Sequence, residues 1–178
     1  VSDRTPLLRR AKSLVSHCSA RFAALVRGLE ARIREAGTGQ PGLSEADRQA
    51  LHDVLDLIEY ADRMAGWCRG PFRKLIHEVT KRVCRSAMGE EGDEPMAVEM
   101  RNLAAREIIN LIVHADSLWR VCSATTQGQI LEEVEDIAEE ELPRSGAALG
   151  RLVVRASKTR RSLQGLVNDD LLDRLQSG

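Results

Sequence analysis

From Leu7 onward, apolar residues recur at steps of three and four: Leu7, Ala11, Leu14, Cys18, Phe22, Leu25, Leu29 and Ile33. That is the spacing of one face of an α-helix. Thr5 and Pro6 supply a cap and a first helical residue, and Gly37 a left-handed stop. A helix is therefore expected over 6–36, about 46 Å long at about 1.5 Å per residue. A second stripe, Leu51, Val54, Leu55, Ile58, Ala61, Ala65 and Cys68, follows Ser44, with Asp47 at the capping-box position, and ends at Gly70-Pro71. The segment 71–88 carries Phe72, Leu75, Ile76, Val79, Val83 and Ala87. Because proline is tolerated in a first turn, 44–88 reads equally as one kinked helix or as two.

Gly89 to Glu94 is an acidic loop, and Pro95 opens a helix running to about Ser123. Its apolar residues, from Met96, Met100 and Leu103 to Leu118, Trp119 and Cys122, cover most of the circumference, which places it among other helices. A polar break at 124–129 precedes a short helix through Leu142, stopped by Pro143. Ser145 caps a last segment with Leu149, Leu152, Val153, Ala156, Leu163, Val167, Leu171 and Leu175, with a break expected near Gly165 or Asn168. Strand alternation is missing, and no period of 20–50 residues repeats. The expected architecture is all-α, a single domain over 1–178. It is an elongated helical bundle of about six helices, four long and two shorter, with 95–123 central.

Composition agrees: 43% hydrophobic and 30% charged residues suit a globular chain, and 3% aromatics leave the core to aliphatic side chains. The richest apolar run, Ile108 to Val113, is far shorter than the roughly 20 residues of a membrane span, so a soluble chain is expected. With Val1-Ser2-Asp3 at the start, no secretory leader is expected. Cys18, Cys68, Cys84 and Cys122 show no metal spacing, and three fall in phase with apolar stripes. A reducing, cytoplasmic setting is expected; the alternative is a secreted cytokine-like bundle with two disulfides.

Charge is sorted by segment although the net charge is −1. Residues 1–36 hold eight bases and three acids, 70–88 five and one, 124–143 seven acids and no base, and 144–161 six bases and no acid. Oppositely charged helices lying side by side is the first reading. The second is an anion-binding surface, for nucleic acid or acidic lipid, in which the basic faces of 6–36, 71–88 and 146–161 converge. Its residues would be Arg73, Lys74, Lys81, Arg82, Arg151, Arg155 and Lys158. Arg outnumbers Lys 22 to 4, which suits bidentate contacts at an interface. Tyr60, Trp67, Trp119, Phe22 and Phe72 are scattered, mostly in core phase, and offer no stacking platform for bases.

Catalytic and metal motifs are not found, and no cofactor is expected. Gly37, Gly39 and Gly42 form a Gly-x-Gly-x-x-Gly, but it follows a helix and contains Pro41, so it reads as a loop. No Glu-x-x-His precedes any of the four histidines, which removes the di-metal bundle pattern. His52 and Asp56 stand one turn apart and read as a solvated pair. The spacing of Arg10 and His17 resembles the Arg-x(4–6)-His motif of the HEPN ribonuclease domains. Ala11 stands where that family carries a polar residue, so structural roles are expected for both. His114 is expected to be buried, His77 exposed beside Lys74 and Lys81, and Cys84 to be the one candidate reactive thiol. The sequence thus points to a non-enzymatic protein-interaction or regulatory module that offers helical faces to a protein partner or to itself, with Leu57 and Val98 as surplus apolar groups.

Overall fold

The computed structural model describes residues 4–36, 43–88 and 94–178. Seven helices account for nearly all of them, and no strand occurs among the described residues. They are α1 Thr5–His17, α2 Ala20–Glu35, α3 Glu45–Trp67, α4 Gly70–Ala87, α5 Pro95–Trp119, α6 Ala124–Ala138 and α7 Gly146–Ser177. The glycine loop at 37–42 and residues 89–93 of the acidic loop lie outside the described residues.

Local chemistry sets the starts. Ser44 accepts from the Asp47 amide at 3.0 Å while Asp47 accepts from the Ser44 amide at 3.3 Å, the reciprocal box that satisfies two orphan donors of α3. The Ser145 side chain accepts from the Ala148 amide at 3.2 Å to start α7, and α1, α4 and α5 open on prolines. The polar stretch 124–129 belongs to α6 rather than to a loop, since Ser123 takes the extended cap conformation and the helix starts at once.

The single helix expected over 6–36 is two helices. Cys18 and Ser19 are extended, with ψ of 155° and 159°, and the chain reverses there. Arg4, at the start of α1, donates to the carbonyls of Ile33 and Arg34 at the end of α2 at 3.2 and 2.9 Å, so the pair is an antiparallel hairpin. The break keeps the apolar phase, with Leu14, Cys18 and Phe22 four residues apart, so periodicity passes through it unmarked. The same reversal at Cys68-Arg69 separates α3 from α4. The longest helix is α7, unbroken at Gly165 or Asn168 and about 48 Å long.

The hairpins α1–α2, α3–α4 and α5–α6 stack in order, and α7 closes the series. Helices α1, α3, α5 and α7 adjoin one another in one layer and α2, α4 and α6 in the other; among the described residues no helix touches one beyond its neighbours in this stack. Helix α5 is central, packed against α3, α4, α6 and α7, while α1 and α2 reach it only through α3 and α4. Its Ile109, Leu111, Ile112 and Ala115 are fully enclosed. Leu57 and Val98, expected as surplus exposed groups, are buried in this core. A stack of this kind is stabilised chiefly by nearest-neighbour interfaces.

The stack reveals a repeat longer than the periods sought in the sequence. Each hairpin turns at a cysteine followed by an extended N-cap residue: Cys18-Ser19, Cys68-Arg69 and Cys122-Ser123. The next helix of the first layer then sends an aspartate to that turn. Asp62 of α3 accepts from the Ser19 amide at 3.0 Å and its hydroxyl at 2.8 Å. Asp116 of α5 accepts from the Arg69 amide at 2.8 Å. Asp170 of α7 accepts from the Ser123 amide at 3.2 Å, the Ser123 hydroxyl and the Thr126 hydroxyl at 2.8 Å. The three aspartates are 54 residues apart in sequence; the first two lie in a matching context, Leu57-Ile58-x-x-Ala61-Asp62 and Leu111-Ile112-x-x-Ala115-Asp116, whereas the third stands in Gly165-Leu166-x-x-Asp169-Asp170, which keeps one aliphatic residue and the final aspartate. These are helix N-caps supplied from a neighbouring hairpin, so each one ties local helix formation to stacking.

Candidate interaction surface

Of the seven basic residues singled out in the sequence, Arg82 and Arg155 meet at Glu140, and the others are spread over α4 and α7. Arg73 is turned to its own hairpin, its Nε donating to the carbonyls of Ala65 and Cys68, both at 3.0 Å. Lys74 and Arg82 line a groove with Glu78, Glu135 and Glu139. Arg82 also donates to the Glu140 carbonyl, and Arg155 of α7 pairs with the Glu140 carboxylate. Arg101, itself buried, lies 3.9 Å from Glu141. The acidic end of α6 therefore stands between the basic residues of α4 and α7, and α1 touches neither helix. Lys81 is half-buried on α4, whereas Arg151, Arg155 and Lys158 share one exposed edge of α7.

The other titratable candidates serve the packing. Arg10 bonds the His52 carbonyl at 3.2 Å and pairs with Asp56, so a guanidinium joins these two groups across α1 and α3. His17 stays on α1, its Nδ1 2.6 Å from the Ser13 carbonyl. His77 is half-buried rather than exposed, edge-on to Phe22 at 5.4 Å; burial chiefly pushes its pKa below the usual histidine value. His114, expected buried, is only half-buried, and burial followed by nearby Arg160 lowers its pKa. Cys84 is enclosed, and burial pushes its thiol up to about 12, which removes it as a reactive thiolate. Cys18 and Cys68 are raised to about 11, again mainly by burial, and no disulfide joins the four cysteines.

A groove of about 600 Å³ at the first two hairpin turns gathers Asp62, Arg73 and His77 around Phe22 and Gly66. All three polar groups are already engaged, Asp62 as a cap, Arg73 on carbonyls and His77 on the Phe22 edge. Among the described residues, no group of three His, Cys, Asp or Glu could hold a metal ion. No helix among them is long and apolar enough to cross a membrane.

A feature without a use inside the fold is on α7. Of the large apolar side chains that are exposed among the described residues, Val153, Val154, Leu171, Leu172 and Leu175 belong to this helix, at 40, 55, 44, 54 and 78%, and Met96 and Leu103 to α5, at 71 and 44%. At about 100° per residue, Leu152, Ala156, Leu163 and Val167 form its buried face, and the five exposed groups lie within about 100° of one another on another side. Helix α7 matches α5 at an offset of 54 residues. The positions Ala104, Ile108, Leu111 and Ala115, buried on α5, correspond to Lys158, Ser162, Gly165 and Asp169, all exposed on α7. Where α5 receives its neighbours α7 is thus polar, and its apolar strip is a separate surface. Trp67, at 71%, lies at the turn between α3 and α4 and Val121, at 55%, at the turn between α5 and α6. Sequence periodicity missed the strip because Val153, Leu171 and Leu175 fit a helical stripe as well as the buried residues do.

No family, no curated protein and no solved structure matches this chain.

Proposed function

We propose that this chain is a non-enzymatic protein-interaction or regulatory module whose contact surface is the outer face of α7. The supporting observation is the strip Val153, Val154, Leu171, Leu172 and Leu175, left exposed on a helix whose adjoining face is anchored in the core. Burying half-exposed aliphatic groups gains about 1 kcal/mol each, and the strip offers two apolar clusters, Val153-Val154 and Leu171-Leu172-Leu175, about 25 Å apart on one face. A long helix held against α5 and α6 as far as Asp170 presents such a surface at a small ordering cost.

The reading of the basic residues as an anion site has less support, since Glu140 and its neighbours occupy Arg82 and Arg155. A reducing compartment accords with four unjoined thiols, two of them buried. The test uses the immobilised chain and its Val154→Glu/Leu172→Glu variant as baits in extract of the native source. Proteins held by the first and lost by the second are expected; identical captured sets would overturn the reading.

A further inference from the structure

We propose that the occupant of this face is a second copy of the same chain, its α7 running antiparallel to the first across a twofold axis between Ser162 and Leu163. The inference rests on the interaction reading above and names the partner. About that point the two valines of the exposed face pair with two of its leucines. An antiparallel copy places Val153 opposite Leu172, Val154 opposite Leu171, and Arg161 opposite Gln164, whose side-chain carbonyl accepts.

It also places Leu175, the most exposed of the strip, opposite Gly150. Nothing lies within 4 Å of where a Gly150 side chain would start, and a shallow depression of about 450 Å³ is lined there by Gly150, Val154 and the stems of Arg151, Arg155 and Lys158. A projecting leucine thus meets a recess at each end of the overlap, which spans about 37 Å from Gly150 to Leu175.

Charge selects the direction. The first half of α7 carries Arg151, Arg155, Lys158, Arg160 and Arg161 without an acid, and the second half carries Asp169 and Asp173 on its exposed side, with Asp170 buried and paired to Arg174. In a parallel pair the basic halves would face each other along their length, whereas in the antiparallel pair only Arg160 and Arg161 meet their own copies, near the axis. In the antiparallel pair Lys158 comes within two positions of the second copy's Asp169, on the same edge of the interface, while Asp173 lies on the far side of the helix. Such an interface is closed and self-complementary, the ordinary form of a homodimer.

Sedimentation equilibrium of the full chain tests this. Wild type is expected to dimerise in the micromolar range, and Leu172→Glu to weaken the dimer about tenfold or more. Gly150→Leu fills the recess while favouring the helix, so its loss of dimer cannot be attributed to unfolding. Lys158→Asp and Asp169→Lys each set like charges against each other and should each weaken self-association about tenfold, whereas an equimolar mixture of the two should form heterodimers as tight as wild type. A wild-type chain that stays monomeric overturns the proposal, as does a dimer indifferent to these substitutions or a mixture that fails to pair. If wild type is monomeric yet still captures a protein through Val154 and Leu172, self-association alone has failed; if neither occurs, the interaction reading has failed with it.

Discussion

Asp116 is 3% exposed and supplies the missing cap of α4, whose own N-cap residue, Arg69, makes no side-chain cap bond. Its Oδ1 accepts from the Arg69 amide at 2.8 Å and its Oδ2 from Arg120 Nε at 3.0 Å. Asp116→Ala removes a charged acceptor from a backbone donor, worth about 1.5–3 kcal/mol. The Arg120 pair adds only about 0.5 kcal/mol, because the arginine is 41% exposed. The total is about 3 kcal/mol, or a fall in Tm of about 6–12 °C for a chain of this size. Asp116→Asn keeps an acceptor for the amide and should lose about 1 kcal/mol, roughly 2–4 °C. Thermal and urea unfolding followed by circular dichroism at 222 nm, the standard helix band, measure both. Equal losses for Ala and Asn, or a loss under about 1 kcal/mol for Ala, would refute the reasoning that this carboxylate is the cap.

Asp62→Ala should cost only about 1 kcal/mol by the same assay, since Asp62 and Ser19 meet at the surface. The Asp170 carboxyl is held below the usual carboxylate range, foremost by the Ser123 hydroxyl, against the opposing effect of burial. A lowered folded-state pKa stabilises fully above the unfolded value of about 3.9 and is lost as pH falls through the folded value. Urea titrations should therefore show the gap between wild type and Asp170→Asn closing below about pH 4; a gap that widens there contradicts the assignment. Leu111→Ala, at a fully buried site on α5, should cost about 2–5 kcal/mol, and a loss under about 1 kcal/mol would remove α5 from the core. Iodoacetamide near pH 8 should leave Cys84 unmodified until the chain unfolds, read by mass spectrometry; rapid labelling of the native protein would show it is not enclosed.

Helix content and the central place of α5 were legible because aliphatic spacing reports burial directly. The caps at Ser44 and Ser145 were legible because they are local. The hairpin turn at Cys18-Ser19 was hidden, as a reversal that preserves the phase of Leu14, Cys18 and Phe22 leaves the stripe intact, and Ser19 is the only local sign of a new helix start. Its cap comes from Asp62, 43 residues away, which no local pattern indicates. Three aspartates at a spacing of 54 were visible in principle, beyond the periods searched. Leu57 and Val98 looked surplus because a helix packed on more than one side buries more than one stripe. The α7 strip was unreadable for the converse reason: periodicity identifies a second apolar face but not whether the fold covers it.

The claim that the outer face of α7 is the working surface is tested most directly by methyl NMR of the full chain over a concentration series, from about 10 μM to about 500 μM. The methyl signals of Val153, Val154, Leu171, Leu172 and Leu175 should shift together along one binding curve while those of Ile109, Leu111 and Ile112 stay in place. Signals of α7 that do not move at any concentration, beside shifts confined to α1 and α2, would contradict the account.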